Sequence, residues 1–180
     1  MNLKKKIRIS LVTVSLLLIS FSCCHNKPKL YVDTYTFKPF WRLEAKLRMM
    51  ESRNTIDTIN LIGCMGFYQF KLSTLRGLGF YKDKEDKEAI LHFTSHKETQ
   101  LKALKSYWKW NRRVLKKTIK KYDGCYIDGV RITESGILAA AHLGGVGGVL
   151  AYFNRGVNRT DGGTTIEKRM KLFSGYNLEL

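Results

Sequence analysis

Glu51 and Ser52 stand side by side, and a glycine-punctuated segment follows with Gly63, Gly66, Tyr68, Gln69 and Thr74. A carboxyl group set against apolar residues can hold its proton near neutral pH and so serve as a general acid. Met49, Met50, Met65, Phe67 and Phe70 are the sequence neighbours able to form such an apolar wall. Acid catalysis of this kind often adds a second carboxylate as base or nucleophile. Asp57, Glu134 and Asp161 are available for that role, but no motif fixes any of them. Taken singly, Glu51 also reads as a solvated helix-end carboxylate, and Gly63 and Gly66 as residues that permit turns with positive φ.

Other chemistry is thinner. His92 and His96 have the spacing of two metal ligands on one helix turn, yet no third ligand and no CxxC accompany them, so neither metal nor cofactor is expected. Cys64 and Cys125 can pair in an oxidising compartment or remain two buried thiols. The glycines from 144 to 148 do not follow a strand as GxGxxG, which argues against a dinucleotide loop. His142 on a small-residue helix reads as a packed histidine as well as a site residue. Trp108 falls on a core face; Trp108 and Trp110 are also candidate sugar platforms.

Counted from Glu51, Gly63 lies at +12, Gly66 at +15, Gln69 at +18 and Thr74 at +23. This register resembles the catalytic signature of the lysozyme-like superfamily, in particular goose-type lysozymes and soluble lytic transglycosylases. There a Glu-Ser pair ends a helix and Gly-x-x-Gly-x-x-Gln follows across a β-like excursion. Downstream, Ala141-His142-Leu143-Gly144-Gly145 is similar to the family's Ala-Tyr-Asn-Ala-Gly motif, with His142 and Leu143 replacing the tyrosine and asparagine. The resemblance spans roughly residues 40–176. It implies a mainly α, single lysozyme-like α+β domain with a small β-like excursion after the catalytic helix.

The same resemblance implies cleavage of the β-1,4 bond between N-acetylmuramic acid and N-acetylglucosamine in peptidoglycan, with Glu51 catalytic. Ser52, Gly66, Tyr68, Gln69, His142, Gly144 and Gly145 are its expected substrate-binding positions. One glutamate without a fixed partner suits a lytic transglycosylase, in which the muramoyl 6-hydroxyl replaces water. The altered motif at His142 and Leu143 leaves a second expectation, a non-catalytic peptidoglycan binder.

The elements that must position these residues follow from periodicity. Pro39 opens a helix whose Phe40, Leu43, Leu47 and Met50 share a face, closing at Glu51 and Ser52. Residues 53–70 lack helical period and predict an irregular, β-like excursion. Short helices are expected over Lys71–Leu78 and near Ala89–Phe93, then one long helix over Lys97–Tyr122. A turn at Asp128 and Gly129 precedes Thr133, an N-cap candidate for the apolar segment Glu134–Phe153. Thr164 and Glu167 fit a capping box for a last helix whose Ile166, Met170 and Phe173 face inward.

Residues 1–22 read as an export signal: Lys4, Lys5, Lys6 and Arg8 precede the apolar run Ile9–Phe21. Ser22 before Cys23 resembles a bacterial lipobox, so Cys23 is the expected lipidation site, with 23–38 as tether and 39–180 as the domain. Plain secretion is the alternative. The expected location is the cell envelope, facing the periplasm. At 180 residues and 44% hydrophobic content, one folded domain is expected and wholesale disorder is excluded. Loss of the signal's four cations takes the net charge from +17 to +13, so most of the basicity belongs to the mature chain. That excess favours an anionic partner. Export and the absence of a nucleic-acid motif favour glycan strands over nucleic acid, with the protein monomeric.

Overall fold

Pro39, at φ −66°, sets the chain's entry into α1 (Phe40–Ser52), and its missing donor costs nothing there. The computed structural model describes residues 37–161 and 163–180. The expected signal (1–22), Cys23 and nearly all of the 23–38 tether lie outside the described residues. Among those described, the structure is mainly helical, with seven helices and three two-stranded antiparallel ribbons.

After α1 the chain makes the expected excursion and returns through a ribbon of β1 (Cys64–Met65) and β2 (Phe70–Lys71). Three helices follow, α2 (Leu72–Gly77), α3 (Asp86–Ser95) and α4 (Lys97–Val114), then α5 (Lys116–Tyr122). The single helix expected over 97–122 is therefore two. Leu115, at φ −88° and ψ 7°, breaks it, and the break has a packing cause. Leu104 and Trp108 of α4 enter one core cluster with Leu43, Leu47 and Phe93, whereas Leu115 enters a second with Ile132, Ile137 and Met170. One straight helix would not serve both clusters. Each large apolar side chain so buried contributes roughly 1.5–3 kcal/mol.

The ribbon of β3 (Tyr126–Ile127) and β4 (Val130–Arg131) turns at Asp128 (φ 49°) and Gly129 (φ 75°). Two positive-φ residues make the two-residue turn whose twist matches a hairpin. Thr133 then caps α6 (Glu134–Arg155), accepting from Gly136 N at 3.2 Å. This apolar helix is the axis of the fold; its first half lies buried from Ser135 to Ala141. A last ribbon, β5 (Thr160–Asp161) with β6 (Thr164–Thr165), leads into α7 (Ile166–Leu172), which packs along α6. The cap of α7 is Thr165, accepting from Lys168 N at 3.1 Å, not Thr164. Thr164 is taken up by β6, which moves the helix start one residue on. Ile166, Met170 and Phe173 are fully buried.

Candidate functional site

Glu51 sits in the last turn of α1, and the chain leaves that turn through Arg53 in the left-handed region (φ 54°). Ser52 secures the exit: its Oγ donates to Arg48 O and accepts from Thr55 N, both at 3.2 Å. Its work here is on the backbone. Asn60 then folds the excursion, its Oδ1 accepting from Ile62 N at 3.0 Å and Cys64 N at 2.9 Å.

Gly66 is required for two reasons: its φ is +73°, and an added Cβ would lie 2.5 Å from Gln100 Oε1. Gln100 is a fully buried glutamine of α4. It accepts from Phe67 N at 2.6 Å and donates to Phe93 O at 2.8 Å and Ile56 O at 3.1 Å. One amide thus ties the excursion to two helices. Gly63 (φ +76°) has open space around it and serves the turn alone.

Gln69, itself at φ 52°, donates through Nε2 to Gly66 O at 3.0 Å. Its side-chain carbonyl has no partner among the described residues. Glu51 and Gln69 line one cavity of about 490 Å³, whose far side carries His142 and Leu143 of α6, Thr164 and Arg169. Met50, Ile62, Cys64 and Lys71 complete its rim.

Arg169 is the site residue that sequence reasoning missed. Only 3% exposed, it donates from a terminal guanidinium nitrogen to Glu51 Oε1 at 2.8 Å, while its buried Nε has no partner among the described residues. A signal existed: Arg169 falls on the inward stripe set by Ile166, Met170 and Phe173, a place a cation occupies only when paired. Glu51 Oε2 makes no hydrogen bond to the described residues.

His142 bridges the walls. Its Nε2–H donates to Tyr68 O at 2.8 Å, so in the neutral ring Nδ1 carries a lone pair, buried and with no partner among the described residues. The ring meets Phe70 and Tyr107 edge-on at 5.3 and 5.8 Å. Burial pushes its pKa below the ordinary histidine value, against an opposing pull from Glu51.

Five expected substrate contacts do not line this cavity: Ser52 and Gly66, whose work is on the backbone, and Tyr68, Gly144 and Gly145. Tyr68 is fully buried and bonds Glu44 through its hydroxyl; burial first, then that bond, drives its pKa well up. It is a core residue because Glu44, which Arg48 also pairs at 3.0 Å, needs a buried donor. Gly144 is a packing position: a Cβ there would lie 2.6 Å from Ile166 Cδ1. Gly145 lines a neighbouring hollow rather than the Glu51 cavity.

The apolar wall expected around Glu51 reduces to Met50. Met65, Phe67 and Phe70 belong to the core, and Met49 is exposed. Met50, expected on the buried face of α1, is instead 39% exposed at the rim. Glu134 pairs with Arg112 at 2.6 and 3.2 Å, and neither it nor Asp57 lines the cavity. Cys64 is a free thiol in the cavity wall, so it does not bond Cys125.

His92 and His96 stack at 4.0 Å; their Nδ1 atoms go to Tyr81 Oη and His92 O. Among the described residues no group of three or more metal-ligating side chains forms. No family model, curated protein or solved structure matches the chain.

Proposed function

We propose that the protein cleaves the β-1,4 bond between N-acetylmuramic acid and N-acetylglucosamine in peptidoglycan, as a lysozyme-like lytic transglycosylase. We place it in the bacterial envelope, exported and held by a lipid on Cys23. The observation that carries the reading is the shared cavity: Glu51 and Gln69, in the register of the lysozyme-like signature, face a wall formed by the second motif at His142 and Leu143.

The chemistry needs one carboxyl group. With Oε1 of Glu51 held by Arg169, the acid proton rides on Oε2 and passes to the leaving glycosidic oxygen as the C1–O4 bond breaks. The resulting carboxylate takes the proton of the muramoyl 6-hydroxyl while O6 bonds to C1. A 1,6-anhydro end results, Glu51 regains its proton, and no water is consumed. Arg169 balances the anion formed between the two steps. Among the described lining residues Glu51 is the one carboxylate, which supports a single-glutamate mechanism over a two-carboxylate one. Gln69, its nitrogen tied to Gly66 O, offers its carbonyl oxygen to an N-acetyl N–H.

One observation favours a second reading, the non-catalytic binder. The ion pair with Arg169 satisfies Glu51 as a carboxylate, whereas cleavage starts from a carboxyl. Incubation with insoluble peptidoglycan and mass spectrometry of the soluble products separates the readings. Anhydro-muropeptides from the wild type, reduced about 10²–10⁴-fold in Glu51→Gln, support the enzyme. Reducing ends would instead mean hydrolysis. Equal, negligible release by both, with both pelleting with the polymer, would leave the binder.

A further inference from the structure

The net charge is unevenly placed. Residues 97–122 hold ten Lys or Arg and a single acid, Glu98, for +9, while the rest of 37–180 carries only +3. Lys109 and Arg113 in this run are exposed, and neither makes an ion pair among the described residues; Arg112 is committed to Glu134.

Between these cations stands Trp110. Its indole is 43% exposed, and its ring lies nearly parallel to Tyr107, 16° between planes and 6.4 Å between centroids. Two hollows meet along Trp110, Gly77 and Leu78. One, of about 400 Å³, runs over Tyr107 to Gly145; the other, of about 650 Å³, carries Lys109 and Arg113. The first hollow begins two residues beyond Leu143 and three beyond Lys71, both of which line the Glu51 cavity.

An exposed aromatic plane takes the apolar face of a pyranose ring, and flanking unpaired cations take carboxylates. The concavity suits a strand lying in a trough; a membrane-surface helix presents a protruding apolar face instead. Single-stranded nucleic-acid sites offer successive aromatic platforms, whereas here Trp110 alone is exposed. We propose that this trough is a second binding site for a carboxylate-bearing glycan strand, with Trp110 stacking on a sugar and Lys109 and Arg113 pairing with the carboxylates. It rests on the reading of peptidoglycan as the polymer, and it acts in retention rather than bond cleavage.

Pelleting with insoluble peptidoglycan across a salt series tests it, with each variant's fold checked by its circular dichroism melt. Trp110→Ala should raise the half-saturation concentration about tenfold, and the double variant Lys109→Gln/Arg113→Gln about fivefold with a flatter salt dependence. Lys87→Gln/Lys168→Gln removes the same charge from other exposed positions and should change little.

Equal losses in the two double variants would overturn the proposal, because binding would then follow net charge. So would unchanged pelleting by Trp110→Ala. Losses confined to anionic phosphatidylglycerol vesicles or to single-stranded DNA would reassign the trough to those partners. If Glu51-dependent release persists while the trough variants bind normally, the trough alone fails. If the wild type neither pellets nor releases product, both readings fall.

Discussion

The near wall of the Glu51 cavity comes from residues 50–71, one continuous piece of chain, whereas the far wall takes His142 and Leu143 from α6 and Arg169 from α7. The near wall is held by bonds within the excursion, at Ser52, Asn60 and Gly66, by the Gln100 clamp from α4, and by the bonds that His142 and Arg169 make across the cavity. The far wall is held by helix packing, with Gly144 admitting Ile166 where any Cβ would collide. Both walls use glycine, but for different ends. Gly66 gives the chain a left-handed turn under a side chain, while Gly144 lets two helices close. A motif of local spacing can therefore describe the first wall and says little about the second.

The largest effect expected from this difference is at the clamp. Gln100→Ala leaves the buried Phe67 N without a partner, strips the part-buried Ile56 O, and reduces Phe93 O to the 3.5 Å bond from His96 N; a buried group so orphaned costs about 1–3 kcal/mol. A loss of about 3 kcal/mol in denaturant-measured stability is expected. Gln100→Glu, which keeps an acceptor for Phe67 N and loses both donors, should lose activity together with stability. A loss under 1 kcal/mol for Gln100→Ala would mean that the near wall holds itself.

Two residues beyond the far wall's Leu143, Gly145 takes φ 67° and ψ 171° and interrupts α6. That region is nearly restricted to glycine and costs other residues of order 1–3 kcal/mol, although nothing lies within 4 Å of the added Cβ. Gly145→Ala should therefore destabilise by about 2 kcal/mol through backbone strain alone. It should also weaken peptidoglycan retention, since Gly145 lines the Trp110 trough. A stabilised Gly145→Ala protein would show that the break in α6 is dispensable.

What the sequence made legible follows the same division. The apolar spacing of α1, the turn at Asp128 and Gly129 and the Thr133 cap are local matters, and local chemistry decides them. The excursion was legible as a loss of period, and the register from Glu51 to Gln69 placed both residues on one cavity. The break at Leu115 was not legible, because only the existence of two core clusters requires it. Tyr68 reads from sequence as either a core residue or a substrate contact, and the choice waits on Glu44, which lies 24 residues away and is buried only once α1 is packed. Arg169 and Gln100 were visible in principle, as polar residues on apolar stripes. Neither stripe says which distant group they meet.

The smallest expected effect concerns the histidine that joins the two walls. Burial depresses the pKa of His142 in the folded protein, so the fold holds the neutral ring, with Nε2–H donated to Tyr68 O. The unfolded chain titrates near the ordinary value of about 6.5. Above that value the two states bind the same number of protons at this ring, and its contribution to stability is fully present. As pH falls below it, the unfolded state takes up a proton that the folded state refuses, and stability declines until the folded ring also titrates. The groups facing the ring are Glu51, which opposes the depression, and Arg169, which adds to it. One such histidine can change stability by at most about 1.4 kcal/mol per pH unit. Thermal melts of wild type and His142→Gln between pH 7.5 and 5 should therefore differ in slope, with the wild type losing more on acidification. Parallel slopes would mean that the ring takes its proton in place, and the bridge between the walls would then be looser than the 2.8 Å contact implies.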